Sequence, residues 1–78
     1  MQRRLSLSHS AYKVSENRET VEASNLKIKV IDEFSSGMAA KIKYLNISHN
    51  LISKLENMRQ FIFLQEIDVS HNSIKNGK

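Results

Sequence analysis

The sequence predicts an α/β fold: short parallel strands joined by 3₁₀ or short helical outer segments, with a disordered lead-in. Three observations carry this expectation. The block from Ile42 to Ile74 repeats itself at a spacing of 22 residues, so that Leu64 stands for Ile42, Ile67 for Leu45, Val69 for Ile47 and Asn72 for Asn50. Each copy begins with apolar and polar residues in alternation, the period of a half-buried strand. In the first copy the apolar residues then recur in threes, the period of a 3₁₀ turn.

Residues 1–24 are rich in Ser, Arg and Glu, and Leu5, Leu7, Tyr12 and Val14 follow neither period. They read as a disordered or loosely helical lead-in. Within them, Arg3-Arg4-Leu5-Ser6 has the form of a basophilic-kinase substrate, which makes Ser6 a candidate phosphosite. Residues 25–41 read as a degenerate capping copy of the block. Ile28, Ile31 and Phe34 match Ile52, Leu55 and Met58 at a spacing of 24, while Val21 and Ala23 fall where Leu45 and Ile47 would be. Two extra residues before Ile42 are expected to be absorbed around Ser35-Ser36-Gly37, where glycine permits an unusual turn.

Residues 42–63 read as the complete copy. Ile42, Leu45 and Ile47 alternate with Tyr44, Asn46 and Ser48, and the threes run Ile52, Leu55, Met58, Phe61. Residues 64–78 repeat the strand and its turn through Ile74 and lack the outer segment. The sequence therefore reads as a fragment or short isoform of a longer scaffold or adaptor protein. The strand at its end should leave an open sheet edge that a partner or a second copy can cover.

The pattern L-x-x-L-x-L-x-x-N-x-L resembles the leucine-rich repeat superfamily. The 22-residue length and Asn50-Leu51-Ile52-Ser53-Lys54-Leu55-Glu56-Asn57 are similar to its Sds22-like class. That resemblance implies a solenoid segment, incomplete here. It also implies a concave sheet face that binds other proteins, presenting Tyr44, Asn46, Glu66 and Asp68. Asn50 and Asn72 are read as a structural asparagine ladder, since an amide can satisfy backbone groups that no strand reaches.

Composition narrows the remaining classes. The net charge of +4 is scattered rather than clustered, with four basic and three acidic groups in residues 1–24 and eight and five in residues 25–78. A nucleic-acid partner is not expected from such a distribution. No apolar run approaches the ~20 residues of a membrane span, and none follows Arg3 and Arg4 as in a secretory signal. A cytoplasmic location is expected, with cytoskeletal, ciliary or nuclear sites compatible. With no cysteine and three histidines, no metal site or cofactor is expected. The pair His49 and His71 is explained by the repeat. Glu66 and Asp68 share a strand face but have no pocket to shift their pKa values, so no enzyme is expected. The leading reading is a non-enzymatic protein–protein interaction module of the leucine-rich repeat type. The alternative is a largely unfolded regulatory polypeptide switched at Ser6.

Overall fold

The computed structural model describes residues 5–35 and 37–74. Four short strands form one sheet in the order β1-β2-β3-β4: β1 is Lys13–Val14, β2 Thr20–Glu22, β3 Tyr44–Asn46 and β4 Glu66–Asp68. The helical elements are three single 3₁₀ turns, Leu7–His9, Met38–Lys41 and Met58–Gln60, and there is no α-helix among the described residues.

The sheet is mixed. Strands β2, β3 and β4 run parallel, with Val21 opposite Leu45 and Leu45 opposite Ile67. Strand β1 runs antiparallel to β2, with Val14 opposite Val21. Its turn needs neither glycine nor proline. Arg18 takes a left-handed φ of 64°, and its N–H bonds to the Ser15 carbonyl at 2.9 Å. The Asn17 side-chain oxygen accepts from the Ser15 hydroxyl at 2.6 Å and from the Glu19 N–H at 3.0 Å. These bonds supply a local alternative to regular structure, and that is what turns the chain back.

The leucine-rich repeat reading and its α/β solenoid class are therefore corrected. The sheet is neither curled nor closed into a coil, and an antiparallel hairpin borders it at β1. The molecule is a flat body of 33 × 32 × 19 Å. A solenoid would also bury its outer segments. Here these are single 3₁₀ turns, and Leu51 and Leu55 stay exposed, so the threefold spacing put Leu55 in a core that it does not reach. The topology is not that of a repeat solenoid, and the scaffold reading that rested on it falls with it.

The unfolded alternative is corrected as well, because the described part of the lead-in is integral to the fold. Leu7 is fully buried, β1 and β2 lie within residues 13–22, and Ser6 bridges Val30. Leu7 N–H bonds to the Val30 carbonyl at 2.9 Å, and Lys29 N–H to that of Leu5 at 2.8 Å.

One apolar layer lies behind the sheet. Val21, Leu45 and Ile47 project into it from the sheet side, and Ile28, Ile31, Ile42, Ile52 and Phe61 close it from the connecting segments. Fully burying one such side chain contributes about 1.5–3 kcal/mol. An edge-to-face chain of Tyr12, Phe34 and Phe61, with ring centroids 5.4 and 6.2 Å apart, seals one flank. Gly37, expected at an unusual turn, has φ 68° and precedes the turn at Met38. Asn57 takes the same left-handed conformation, φ 59°, before the turn at Met58.

Candidate functional site

Strand alternation sends Leu45 inward and brings the polar residues to the other face of the sheet. Register then sets them in rows. Thr20, Tyr44 and Glu66 lie side by side, as do Glu22, Asn46 and Asp68. All of these but Glu22 line a shallow depression of about 160 Å³ that also reaches Val21, Leu45 and Ile67. The four residues singled out in the sequence, Tyr44, Asn46, Glu66 and Asp68, are thus adjacent.

Their hydrogen bonding differs from row to row. Asn46 uses both ends of its amide: its Nδ2 donates to Glu22 at 3.0 Å, and its Oδ1 accepts from the Ser48 N–H at 3.0 Å and hydroxyl at 2.7 Å. Tyr44 donates its hydroxyl to Gln65 at 3.3 Å. Asp68 accepts through Oδ1 from the Ser70 N–H at 3.0 Å and hydroxyl at 2.7 Å. Those two bonds, the hydroxyl's first, hold its carboxyl below the usual aspartate range, helped by the nearby imidazoles of His49 and His71. Glu66 and Asp68 face solvent without an ion pair among the described residues, whereas Glu19 is paired with Lys43 at 3.4 Å.

Among the described residues no strand covers the outer edge of β4. In a parallel ladder the N–H and C=O of one residue point to the same side, and successive residues alternate. Ile47 N–H bonds to the Asp68 carbonyl at 2.9 Å, so Asp68 faces β3 and the backbone groups of Ile67 point away from it. The Ile67 side chain is 37% exposed, against 2% for Leu45 in the same position on β3. Ile62 and Phe63, just before β4, are also exposed.

The asparagines at 50 and 72 tie these strands to the connecting segments. Asn50 Oδ1 accepts from the N–H groups of Leu26 at 2.9 Å and Ile28 at 3.0 Å, and Nδ2 donates to the carbonyls of Ala23, Ile47 and Ser48 at 2.8, 3.0 and 3.0 Å. Asn72 accepts from Ile52 N–H at 3.0 Å and donates to the carbonyls of Ile47, Val69 and Ser70 at 2.9, 3.1 and 3.2 Å. Between these layers, the rings of His49 and His71 stack at 4.1 Å, 10° from parallel.

A second polar cluster was not visible in the sequence. Ser6, Ser8, His9 and Asp32 meet where the first 3₁₀ turn packs on the chain after Val30. Ser8 bonds to Asp32 through its N–H at 2.8 Å and also through its hydroxyl. His9 Nδ1 lies 2.9 Å from the Ser6 hydroxyl, 3.2 Å from that of Ser8 and 3.5 Å from Asp32. Partial burial would raise the Asp32 pKa, but the Ser8 bonds, with a smaller one from Ser6, outweigh it and hold the carboxyl below its usual range. The composition resembles a hydrolytic triad but the geometry differs. Both serines and the aspartate meet the same ring nitrogen, so the imidazole cannot relay a proton between them. Ser6, the candidate phosphosite, is half-buried in this cluster, while Arg3 and Arg4 lie outside the described residues.

No helix among the described residues is long and apolar enough to cross a membrane. Nor do the described residues hold a group of three or more His, Cys, Asp or Glu side chains that would suit a metal ion. No family model, curated protein or solved structure matches the chain.

Proposed function

We propose that this domain binds a protein partner by taking up an extended segment along the free edge of β4, with Tyr44, Asn46, Glu66 and Asp68 beside it. The observation that carries this reading is the contrast between Leu45, 2% exposed, and Ile67, 37% exposed, at matched positions of neighbouring strands. An added strand would bury Ile67 and use its outward backbone groups, the route by which sheet edges commonly take up peptides. The adjoining face alone is small against the roughly 800 Å² per partner of a stable interface, so the backbone ladder supplies part of the affinity.

Self-association along this edge is the weaker version. Antiparallel pairing of two copies about Ile67 sets Glu66 opposite Asp68, and parallel pairing stacks like residues. Both arrangements oppose carboxylates, which is destabilising on a sheet. No catalytic step is proposed, because the face is open and the Ser8–His9–Asp32 cluster lacks relay geometry. Nucleic acid and membrane are not proposed as partners, and the compartment is taken as cytoplasmic on composition.

The test is an Ile67→Pro variant. It removes an outward N–H while leaving the β3–β4 ladder its bonds, because proline is tolerated on an edge strand. Partner capture or peptide binding, read as amide chemical-shift changes in β4, should be lost while the dispersion of the β2 and β3 signals persists. Binding that survives in this variant overturns the edge reading.

A further inference from the structure

The edge strand also constrains the sequence that can bind it. This step rests on the proposed strand addition at β4. Glu66 and Asp68 project to the open face, and between them Ile67 projects to the apolar side. In an added strand, the residues opposite Glu66 and Asp68 share their face and the residue opposite Ile67 shares its own.

Asp68 has the imidazoles of His49 and His71 nearby. No ion pair reaches Glu66 or Asp68 among the described residues. Asp68 Oδ1 is occupied by Ser70, and Oδ2 accepts no bond from the described residues. Glu22, in the row of Asp68, adds a third carboxylate to the face. Lys43, whose carbonyl accepts from the Glu66 N–H, turns its ammonium to Glu19. On the opposite side Val69 and Leu64 are half-buried against the core. The edge therefore offers two charges of one sign flanking one apolar contact, in a chain whose overall charge is positive.

We infer that the partner segment is a strand of basic–apolar–basic alternation, with Lys or Arg opposite Glu66 and Asp68 and a β-branched or similar apolar residue opposite Ile67. Opposite charges directly across a ladder attract, and like charges repel. This pattern is the complement of the edge and excludes a second copy of β4, which would bring acidic residues to the same places.

The experiment uses three labelled seven-residue peptides, identical except at the two flanking positions: Lys-Val-Lys, Gln-Val-Gln and Glu-Val-Glu at their centres. Fluorescence anisotropy with the full chain at low salt should rank them in that order, the basic peptide binding about tenfold tighter than the neutral one. The gap should narrow as salt is raised. In a Glu66→Gln/Asp68→Asn double variant the basic peptide should fall to the affinity of the neutral one, which itself should bind as before. Both positions are exposed, and matching circular dichroism spectra verify that the variant folds. Equal binding of all three peptides, with β4 amide shifts still seen, overturns the charge pattern and leaves strand addition standing. A basic preference that survives the double variant also overturns it. Binding by none of the three overturns strand addition itself.

Discussion

Strands β3 and β4 carry matched residues and live in different surroundings. Leu45 is covered by neighbours on both sides and Ile67 on one, and the difference spreads outward. Ile47 is fully buried where Val69 is half-buried, and Ser48 is buried where Ser70 is exposed. Asn50 is 5% exposed and makes five bonds, whereas Asn72 is half-buried and makes four. The same side chain thus changes its energetic weight with one strand of displacement. Residue type selects the position in a layer, and the number of neighbouring layers decides what it contributes.

The sharpest way to break this comparison is truncation in the core. Leu45→Ala should lower the unfolding free energy by about 2–5 kcal/mol, enough at the upper end to leave so small a domain mostly unfolded. Ile67→Ala should cost under about 1 kcal/mol, because part of its surface already meets water. Urea denaturation of the pair is the measurement, and equal losses would mean that β4 is as enclosed as β3.

The asparagines come next. Asn50→Ala orphans the N–H groups of Leu26 and Ile28 and the carbonyl of Ala23, for about 3 kcal/mol or more. The carbonyls of Ile47 and Ser48 keep other donors, Asn72 and the Asn25 N–H. Asn72→Ala orphans Ile52 N–H and the Val69 carbonyl nearer to solvent, for about 1 kcal/mol. Thermal melting should separate the two variants by several degrees, and coincident melts would refute the layered account.

The smallest effect is acid sensitivity. Asp32 and Asp68 both titrate below the usual aspartate value in the folded chain. A depressed folded pKa contributes stability that is complete above the unfolded value, about 3.9, and is lost as pH falls through the folded value. Asp32→Asn should therefore flatten the loss of stability below about pH 4. Asp68→Asn should do so less, because its carboxylate is fully solvated. Urea midpoints measured from pH 6 to pH 2 would show it.

The strand positions of β3 and β4 were legible because alternation is local: Leu45 and Ile47 face inward as their spacing implies. Neighbourhood on the sheet was legible too, since a repeat of 22 residues sets Tyr44 beside Glu66 and Asn46 beside Asp68. The fold class was not. Whether strands coil depends on what connects them, and the hairpin of β1 and β2 rests on Ser15, Asn17 and Arg18, polar residues that read equally well as disordered chain. Leu7 shows the same limit, since an isolated leucine among serines gives no period yet is fully buried. The Ser8–His9–Asp32 cluster joins residues 24 positions apart, and no spacing rule connects them.

The carbonyl of Ile47 accepts from Nδ2 of both Asn50, at 3.0 Å, and Asn72, at 2.9 Å. That one oxygen is shared by the outer and inner layers, beside the ladder of β3 and β4. If β4 opens, Ile47 loses one donor and keeps the other, and an opening that starts at the edge is expected to halt at β3. Amide protons would then exchange with solvent water in a staircase, fast in β4, slower in β3 and slowest in the segment that Asn50 clasps. The edge proposed to take up a partner would thus also be the quickest to breathe, and binding there would be registered as a slowing of the outermost step.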